Sequence, residues 1–442
     1  MSRGHIVRLI DVISALGTVA GLPSRRPPEL RRLLAILSIC LVCLSALLGC
    51  AGLAVSESKS SVDRQPPAEM PLTIRTLDTG HRFSRLSSTA AAERLRALHP
   101  GETLNILALS GGGAAGAFGA GAVAGLHSGS RQDFAVVTGV SAGALVAPYA
   151  FLGPAWDARL LEAFTSGTGE HLLQPRGLGV VFGSSLYRGA PLEHLVDSYL
   201  SDTMILAVAR EAAKGRLLLV ATTDVATGEP VVWDLGSIAR NGGPNARTLF
   251  RDVLVASASV PGMFPPVIIG VREDGAPHDE AHVDGAATVP FFVPPAFLQT
   301  PPETLEGTHR TAVYVIIDGP LGEAARTTRL TARAILSRTI HAGLDRLLLT
   351  TLELTAATAQ LQGATLRYAA VPSAYPPLNP FDFRVGTMRP LFQYADECAQ
   401  AGRLWTTFRR FPDDGGTVPG MAETRKVPCP ADDAFIRYFA SR

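Results

Sequence analysis

The pentapeptide GVSAG, residues 139–143, places Ser141 where a serine can act as a nucleophile. It fits the G-x-S-x-G pattern, in which a sharp turn exposes the serine hydroxyl. Residues 134–138 before it predict a strand and residues 144–151 after it predict a helix, which is the context that such a turn requires. We therefore predict that Ser141 is a catalytic nucleophile.

A run of three glycines lies about 30 residues before Ser141 and directly follows the apolar run LNILAL, residues 104–109. Gly111, Gly112 and Gly113 begin a predicted helix. Backbone N–H groups at the start of a helix can stabilise an oxyanion, so the three glycines are candidates for that role.

The same glycines allow a second interpretation. Residues 111–116 fit the G-x-G-x-x-G pattern of dinucleotide-binding proteins. That pattern requires an acid at the end of the next strand, whereas Asp133 precedes the next apolar run. A dinucleotide site is therefore the weaker alternative.

A serine nucleophile needs a base, which is usually a histidine late in the chain, and no histidine here fits that position. His341 lies in a predicted helix and no histidine follows it, while His278 and His282 have no separate acid arranged around them. Asp284, in AHVDGAA, stands beside apolar residues where partial burial can tune a carboxyl group. We therefore favour Asp284 as the base.

Two other Asp-Gly steps compete with it. Asp274 belongs to a charged stretch that predicts a hairpin turn. Asp318 ends a predicted strand, but Pro320 follows closely. Asp274 and Asp318 are therefore weaker candidates for the base than Asp284.

In this order, the three motifs resemble the patatin-like phospholipase family, over roughly residues 104–295. The resemblance implies a three-layer α/β/α fold with a mainly parallel sheet and a Ser–Asp dyad without histidine, in which Ser141 attacks and Asp284 takes its proton. It implies no metal and no cofactor. The oxyanion hole would be formed by the backbone N–H groups of Gly111, Gly112 and Gly113.

The sequence departs from the family at Ala115, where Arg or Lys is frequent, so a basic group near the oxyanion hole is missing. Residues 255–266 are similar to a family segment near the active site, but no chemistry follows from them. We expect structural roles for Ser257 and Ser259, and a packing or hydrogen-bonding role for His282.

Family membership implies hydrolysis of carboxylic esters of lipids such as phospholipids, lysophospholipids or simple acyl esters. Two alternatives remain open. One is a non-catalytic envelope lipoprotein that retains the fold, and the other is a dinucleotide-binding protein that uses residues 111–116.

The N-terminal region has the pattern of an export signal. Residues 33–48 are apolar and uncharged, four Arg residues precede them, and Leu47-Leu48-Gly49-Cys50 resembles a bacterial lipobox. This predicts cleavage before Cys50 and lipidation of its side chain. The alternative is a short N-terminal membrane anchor.

Charge separates the two parts of the chain. The 442 residues hold 40 Lys and Arg against 39 Asp and Glu, a balance that excludes a basic nucleic-acid binder. Residues 1–49 contain six Arg and two acids, which leaves 34 basic and 37 acidic residues and a net charge of −3. After cleavage, Cys398 and Cys429 remain beside Cys50; they are either a disulfide or two separate thiols.

We predict four segments: a signal peptide (1–49), a tether and N-terminal extension (50–100), a catalytic domain (101–320), and a helical C-terminal extension packed on it (321–442). The helical repeat in the last segment is predicted to pack on the sheet, through Leu336, Ile340, Leu344, Leu347 and Leu348. The expected product is a membrane-anchored lipoprotein of the bacterial cell envelope, on its outer-membrane, periplasmic or surface face. The sequence does not indicate an oligomeric state.

Overall fold

Five apolar runs form neighbouring parallel strands at the centre of one mixed sheet. The computed structural model describes residues 73–77, 83–98, 102–129, 133–177, 184–273, 276–299, 310–321, 330–408 and 427–433. The strands are β1 (Thr73–Leu77), β2 (Phe83–Ser87), β3 (Leu104–Leu109), β4 (Val136–Val140), β5 (Leu217–Asp224), β6 (Pro230–Asp234), β7 (Val267–Glu273), β8 (Ala276–Asp284), β9 (Thr311–Ile317), β10 (Thr365–Ala370) and β11 (Thr406–Thr407).

The order across the sheet is β11-β10-β9-β3-β4-β5-β6-β1-β2, and β8 branches off β5 to pair with β7. Pairs from β10 through β5 are parallel, whereas β5–β6, β5–β8 and β7–β8 are antiparallel.

Parallel sheets need helices on both faces. The helices are α1 (Ser88–Leu98), α2 (Gly116–Ser128), α3 (Ala142–Leu152), α4 (Asp157–Thr165), α5 (Ala190–Tyr199), α6 (Asp202–Ala213), α7 (Leu235–Asn241), α8 (Ala246–Ser257), α9 (Pro295–Leu298), α10 (Ala332–Leu361) and α11 (Val385–Gln400).

Alternation along β3 shows how the sheet separates two cores. Leu107 and Leu109 belong to one apolar cluster, which α2–α8 and α11 cover, and Ile106 and Ala108 belong to the other, which α1, α9 and α10 cover. Successive side chains of a strand point to opposite faces, so a strand buried on both sides has no polar face. The three-layer α/β/α architecture and the mainly parallel sheet are confirmed.

Residues 191–213, which look like one helix in the sequence, form two. α5 ends at Tyr199 and α6 begins at Asp202. Between them, the side chain of Ser201 accepts a hydrogen bond from the N–H of Met204 and caps α6. The apolar spacing continues across the break, so spacing alone could not show it.

The C-terminal region also differs from a purely helical extension. β10 pairs in parallel with β9 and β11 pairs with β10, so residues 365–370 and 406–407 belong to the main sheet. At the end of α11, Cys398 forms a disulfide with Cys429.

The predicted core packing of α10 is wrong for its first half. Leu336, Ile340 and Leu344 are exposed, at 63%, 53% and 40%, while Leu347 and Leu348 are half-buried. The helix has apolar residues on two faces, and only the face with Leu352, Ala356 and Ala359 packs on the sheet. No helix in the described ranges is long and apolar enough to span a membrane. The predicted signal peptide, the tether up to residue 72 and Cys50 lie outside the described residues.

Candidate active site

Ser141 lies at the turn between β4 and α3, as its motif predicts. Its φ is 55°, and it is the only non-glycine residue of the described chain with a positive φ. L-residues avoid this region because of steric strain, which is tolerated mainly at functional sites. The turn points the Oγ of Ser141 toward Asp284, and the side chain is 5% exposed.

Asp284 ends β8, which pairs with β5, the neighbour of β4 in the sheet. The Oγ of Ser141 donates a 2.6 Å hydrogen bond to Oδ2 of Asp284. Oδ1 of the same carboxyl accepts a 2.8 Å hydrogen bond from the N–H of Ala286. The carboxyl group is therefore fixed with one oxygen on the serine hydroxyl.

Burial raises the pKa of Asp284 to about 7, although the hydrogen bonds from Ser141 and Ala286 lower it. Desolvation is the largest cause, because the side chain is only 2% exposed and no cation offsets the lost water. A carboxyl group with a pKa near neutrality can both take and return a proton at physiological pH.

The glycine loop lies against the serine, but its three N–H groups are not equivalent. A Cβ on Gly111 would stand 3.0 Å from the Cβ of Ser141. The N–H of Gly111 donates to the carbonyl of Pro290 at 3.1 Å, so it is already used and does not fit the predicted oxyanion role. Gly112 and Gly113 donate no N–H to a carbonyl of the described residues, and they are the remaining candidates.

Backbone of two distant segments holds this loop in place. A Cβ on Gly112 would overlap the carbonyl oxygen of Asp318, and one on Gly113 would overlap that of Pro380. The N–H of Ala114 also donates to Pro380 at 2.8 Å. Only glycine permits such close approach, and Gly113 has in addition a φ of 58°.

Ser257 has the structural role expected for it, and it contacts Ser141 itself, which the sequence did not indicate. Its Oγ accepts a 3.0 Å hydrogen bond from the N–H of Ser141 and donates one of 2.7 Å to the carbonyl of Ala221. The Oγ of Ser259 instead bonds the carbonyl of Val255 in the preceding helical turn. Ser257 is the last residue of α8 and is buried. A small polar residue at that point of the sequence was the one signal that could have indicated this contact.

Asp318, His278 and His282 form hydrogen bonds to partners other than Ser141. Burial raises the pKa of Asp318 well above its usual range, and its Oδ1 accepts from the N–H of Gly119. His282 is fully buried between Thr222 and Glu280, which is the hydrogen-bonding role expected for it. His278 contacts Glu280.

The other candidates offer no alternative. Asp274 lies outside the described residues, although Glu273 and Ala276 pair as in a hairpin. Within the described ranges, no group of three His, Cys, Asp or Glu side chains could hold a metal ion.

An apolar pocket of about 110 Å³ opens at Ser141. The described residues that line it carry no charge. One wall comes from α3, α5 and α8, with Leu145, Leu192, Val196 and Leu254. Another comes from residues 381–388 of the C-terminal region, including Phe381, Phe383, Val385 and Met388.

The three-layer sheet, the serine turn and the glycine loop together form the arrangement that the sequence motifs predict. Residues 107–297 match the family model described as Patatin-like phospholipase. Among solved structures, it is similar to VipD from Legionella pneumophila, with 10% identity, a TM-score of 0.32, and coverage of 78% of this chain and 73% of that chain. No curated protein matches it by sequence.

Proposed function

We propose that this protein hydrolyses carboxylic esters of lipids through a Ser141–Asp284 dyad. The observation that carries the proposal is the 2.6 Å hydrogen bond from Ser141 Oγ to a buried carboxyl oxygen of Asp284. His278 and His282 form their hydrogen bonds to Glu280 and Thr222 and not to Ser141 or Asp284, so Asp284 is the available base.

The reaction follows from these positions. Asp284 takes the hydroxyl proton as Ser141 Oγ attacks the ester carbonyl, and the N–H groups of Gly112 and Gly113 stabilise the oxyanion. The protonated carboxyl group then donates its proton to the leaving alcohol. Water attacks the acyl-enzyme in turn, with Asp284 again as the base, and free fatty acid leaves.

The pocket supports an acyl chain as the group that is recognised. Its lining is apolar, so it binds a hydrocarbon chain through the hydrophobic effect, with no cation to select a phosphate head group. At about 110 Å³ the pocket is smaller than the roughly 150 Å³ apolar cavity that accommodates benzene, so it favours a short acyl chain. Short-chain acyl esters are thus the substrates that fit the pocket in this state.

The test is hydrolysis of a nitrophenyl butyrate ester together with labelling by a fluorophosphonate probe. Ser141→Ala should lose both, and Asp284→Asn should lose hydrolysis by at least a thousandfold. Ser198→Ala is the matched control, because its exposed Oγ donates only to the carbonyl of Leu195. Wild-type turnover in either dyad variant would refute the dyad. An unlabelled and inactive wild-type protein would favour the non-catalytic lipoprotein.

The same proposal includes attachment to the membrane of the bacterial cell envelope through a lipid on Cys50. Its support is the lipobox-like Leu47-Leu48-Gly49-Cys50 after an apolar, uncharged run. Cys50→Ser should move the protein out of the membrane fraction. Retention of the variant there, with lipid still attached, would contradict the lipidation site.

A further inference from the structure

Helix α10 exposes a row of large apolar side chains to solvent. Leu336, Ile340, Leu354 and Leu361 are exposed at 63%, 53%, 66% and 84%. The opposite side of the helix, with Leu352, packs on the sheet. Contiguous exposed apolar surface on a folded protein marks an interaction site.

The spacing of these residues is that of a coiled coil. Ile340, Leu347, Leu354 and Leu361 recur every seventh residue, and a heptad drifts by only about 20° around a helix. The residues at the second core position of each heptad are small in three of four cases. They are Leu336, which is large, and then Gly343, Thr350 and Ala357. We call these eight residues the α10 seam.

The seam suits a protein better than a lipid surface. It lies across the sheet from the apolar pocket, since α10 covers the cluster that includes Ile106, while the pocket opens among the helices on the other face. Among the side chains that the structure describes, one cation and one anion stand beside the seam, Arg346 and Glu353, and both are exposed. Anionic membranes attract an excess of basic residues, which these described side chains do not provide.

We propose that the α10 seam binds the same seam of a second copy of this chain, with the two helices antiparallel about a twofold axis. In antiparallel pairing, the first core position of one helix faces the second core position of the other. A large side chain then meets a small one in every inner layer. The layers are Ile340 with Ala357, Leu347 with Thr350, and Leu354 with Gly343, and Leu361 meets Leu336 at each end.

An ion pair between the two copies favours the antiparallel arrangement. In that arrangement Arg346 of one copy lies beside Glu353 of the second copy, and the twofold axis repeats this pair. Neither side chain forms an ion pair with another described residue. In a parallel pair, Gly343 would face Gly343 and leave a gap, and Arg346 would face Thr351 without an ion pair.

The decisive experiment exchanges the two charges. The full-length chain, purified in a mild detergent, is studied by sedimentation equilibrium with the detergent matched. We expect wild type to dimerise, Arg346→Glu and Glu353→Arg each to weaken dimerisation about tenfold, and the double variant to restore it. A monomeric wild type, or a double variant as weak as the single ones, would overturn the proposal.

A membrane-binding face gives a different result. Binding to vesicles of anionic phospholipid would then weaken in Arg346→Glu and strengthen in Glu353→Arg, and no restoration of a dimer would occur in the double variant. That outcome would also overturn the proposal.

A second variant tests the packing of the seam. A Cβ on Gly343 meets no atom within 4 Å, so Gly343→Leu leaves the fold of a single copy intact. In the antiparallel pair, the added side chain collides with Leu354 of the second copy, and we expect dimerisation to fall at least tenfold. Ala342→Leu places the same side chain one residue away from the seam and should not change dimerisation. Equal dimerisation in both variants would contradict the packing.

Discussion

The Oγ of Ser257 accepts the N–H of Ser141 at 3.0 Å, across 116 residues of sequence, and at the same time donates to the carbonyl of Ala221 on β5. Ser141 has the one positive φ among the described non-glycine residues, so its backbone must be held by its surroundings. Ser257 joins the strained turn to the neighbouring strand.

Ser257→Ala should therefore lower kcat ten- to a hundredfold with little change in KM, because small displacements of a nucleophile are costly. It should also reduce the free energy of unfolding by about 1–3 kcal/mol, since a buried N–H loses its acceptor. Steady-state kinetics and thermal unfolding measure the two effects. Ser259→Ala, which removes a hydroxyl bonded to the carbonyl of Val255 in the preceding helix, is the comparison, and an equal loss of kcat there would argue against a specific role.

The pH dependence of hydrolysis should follow the ionisation of Asp284. Its pKa is raised to about 7, and only the carboxylate can take the proton of Ser141. We expect kcat/KM to rise about tenfold per pH unit below pH 7 and to level off above pH 8. A profile that is already flat from pH 5 would show that the active carboxyl group has an ordinary pKa.

Asp284→Asn should abolish activity and stabilise the fold at alkaline pH. The wild-type carboxyl group has a pKa of about 7 in the folded state and about 3.9 in the unfolded state. The folded state thus binds the proton more tightly, and the stability from this group is lost as the pH rises from about 4 through 7. The asparagine side chain does not ionise, so the variant does not lose this stability. Its free energy of unfolding, measured with denaturant, should exceed that of wild type by a few kcal/mol at pH 8, since one pKa unit is about 1.4 kcal/mol, and by much less at pH 5.

Phe383 should limit the length of the acyl chain. It lines the apolar pocket, and its segment is fixed by a 2.9 Å hydrogen bond from the N–H of Val385 to Glu170. Phe383→Ala should enlarge the pocket and raise kcat/KM for octanoate relative to butyrate esters about tenfold. Phe408→Ala, on an aromatic residue packed on the other face of the sheet, is the control. An unchanged chain-length profile in Phe383→Ala would place the limit elsewhere.

The disulfide should stabilise the C-terminal region. Cys398 and Cys429 are 31 residues apart, and closing a loop of that length contributes about 3–4 kcal/mol in the chain-entropy model. Cys398→Ser should lower Tm by several degrees and leave the chain-length profile in place. An unchanged Tm in the variant, and in wild type with reductant, would refute a stabilising bridge.

Local patterns in the sequence were sufficient for β3, β4 and the serine turn, whereas β10 lies in a segment that was predicted to be helical. Ser141 and Asp284 could be singled out because each lies in a short motif beside an apolar run. Contacts between distant segments could not be read in this way. Nothing near Gly111 shows that Pro290 takes its N–H, and nothing near Ser141 indicates Ser257.

The helical repeat in α10 shows a different limit. Regular spacing predicts a helix, but when two faces are apolar it cannot show which face packs on the sheet. Leu336 and Leu352 are equally apolar in sequence, yet one is exposed and the other is buried. Residues 381–388 have no regular pattern at all, so their place in the pocket depends on the fold.

The position of β9 decides where this domain can be cut. Residues 107–297 match the family, but β9, at Thr311–Ile317, pairs along the full length of β3. The N–H of Ser110, just before the glycine loop, donates to Ile316. A fragment that stopped at residue 297 would leave β3 as an open, apolar edge, which is a template for aggregation. Expression of this domain in isolation therefore requires the chain to continue at least through β10.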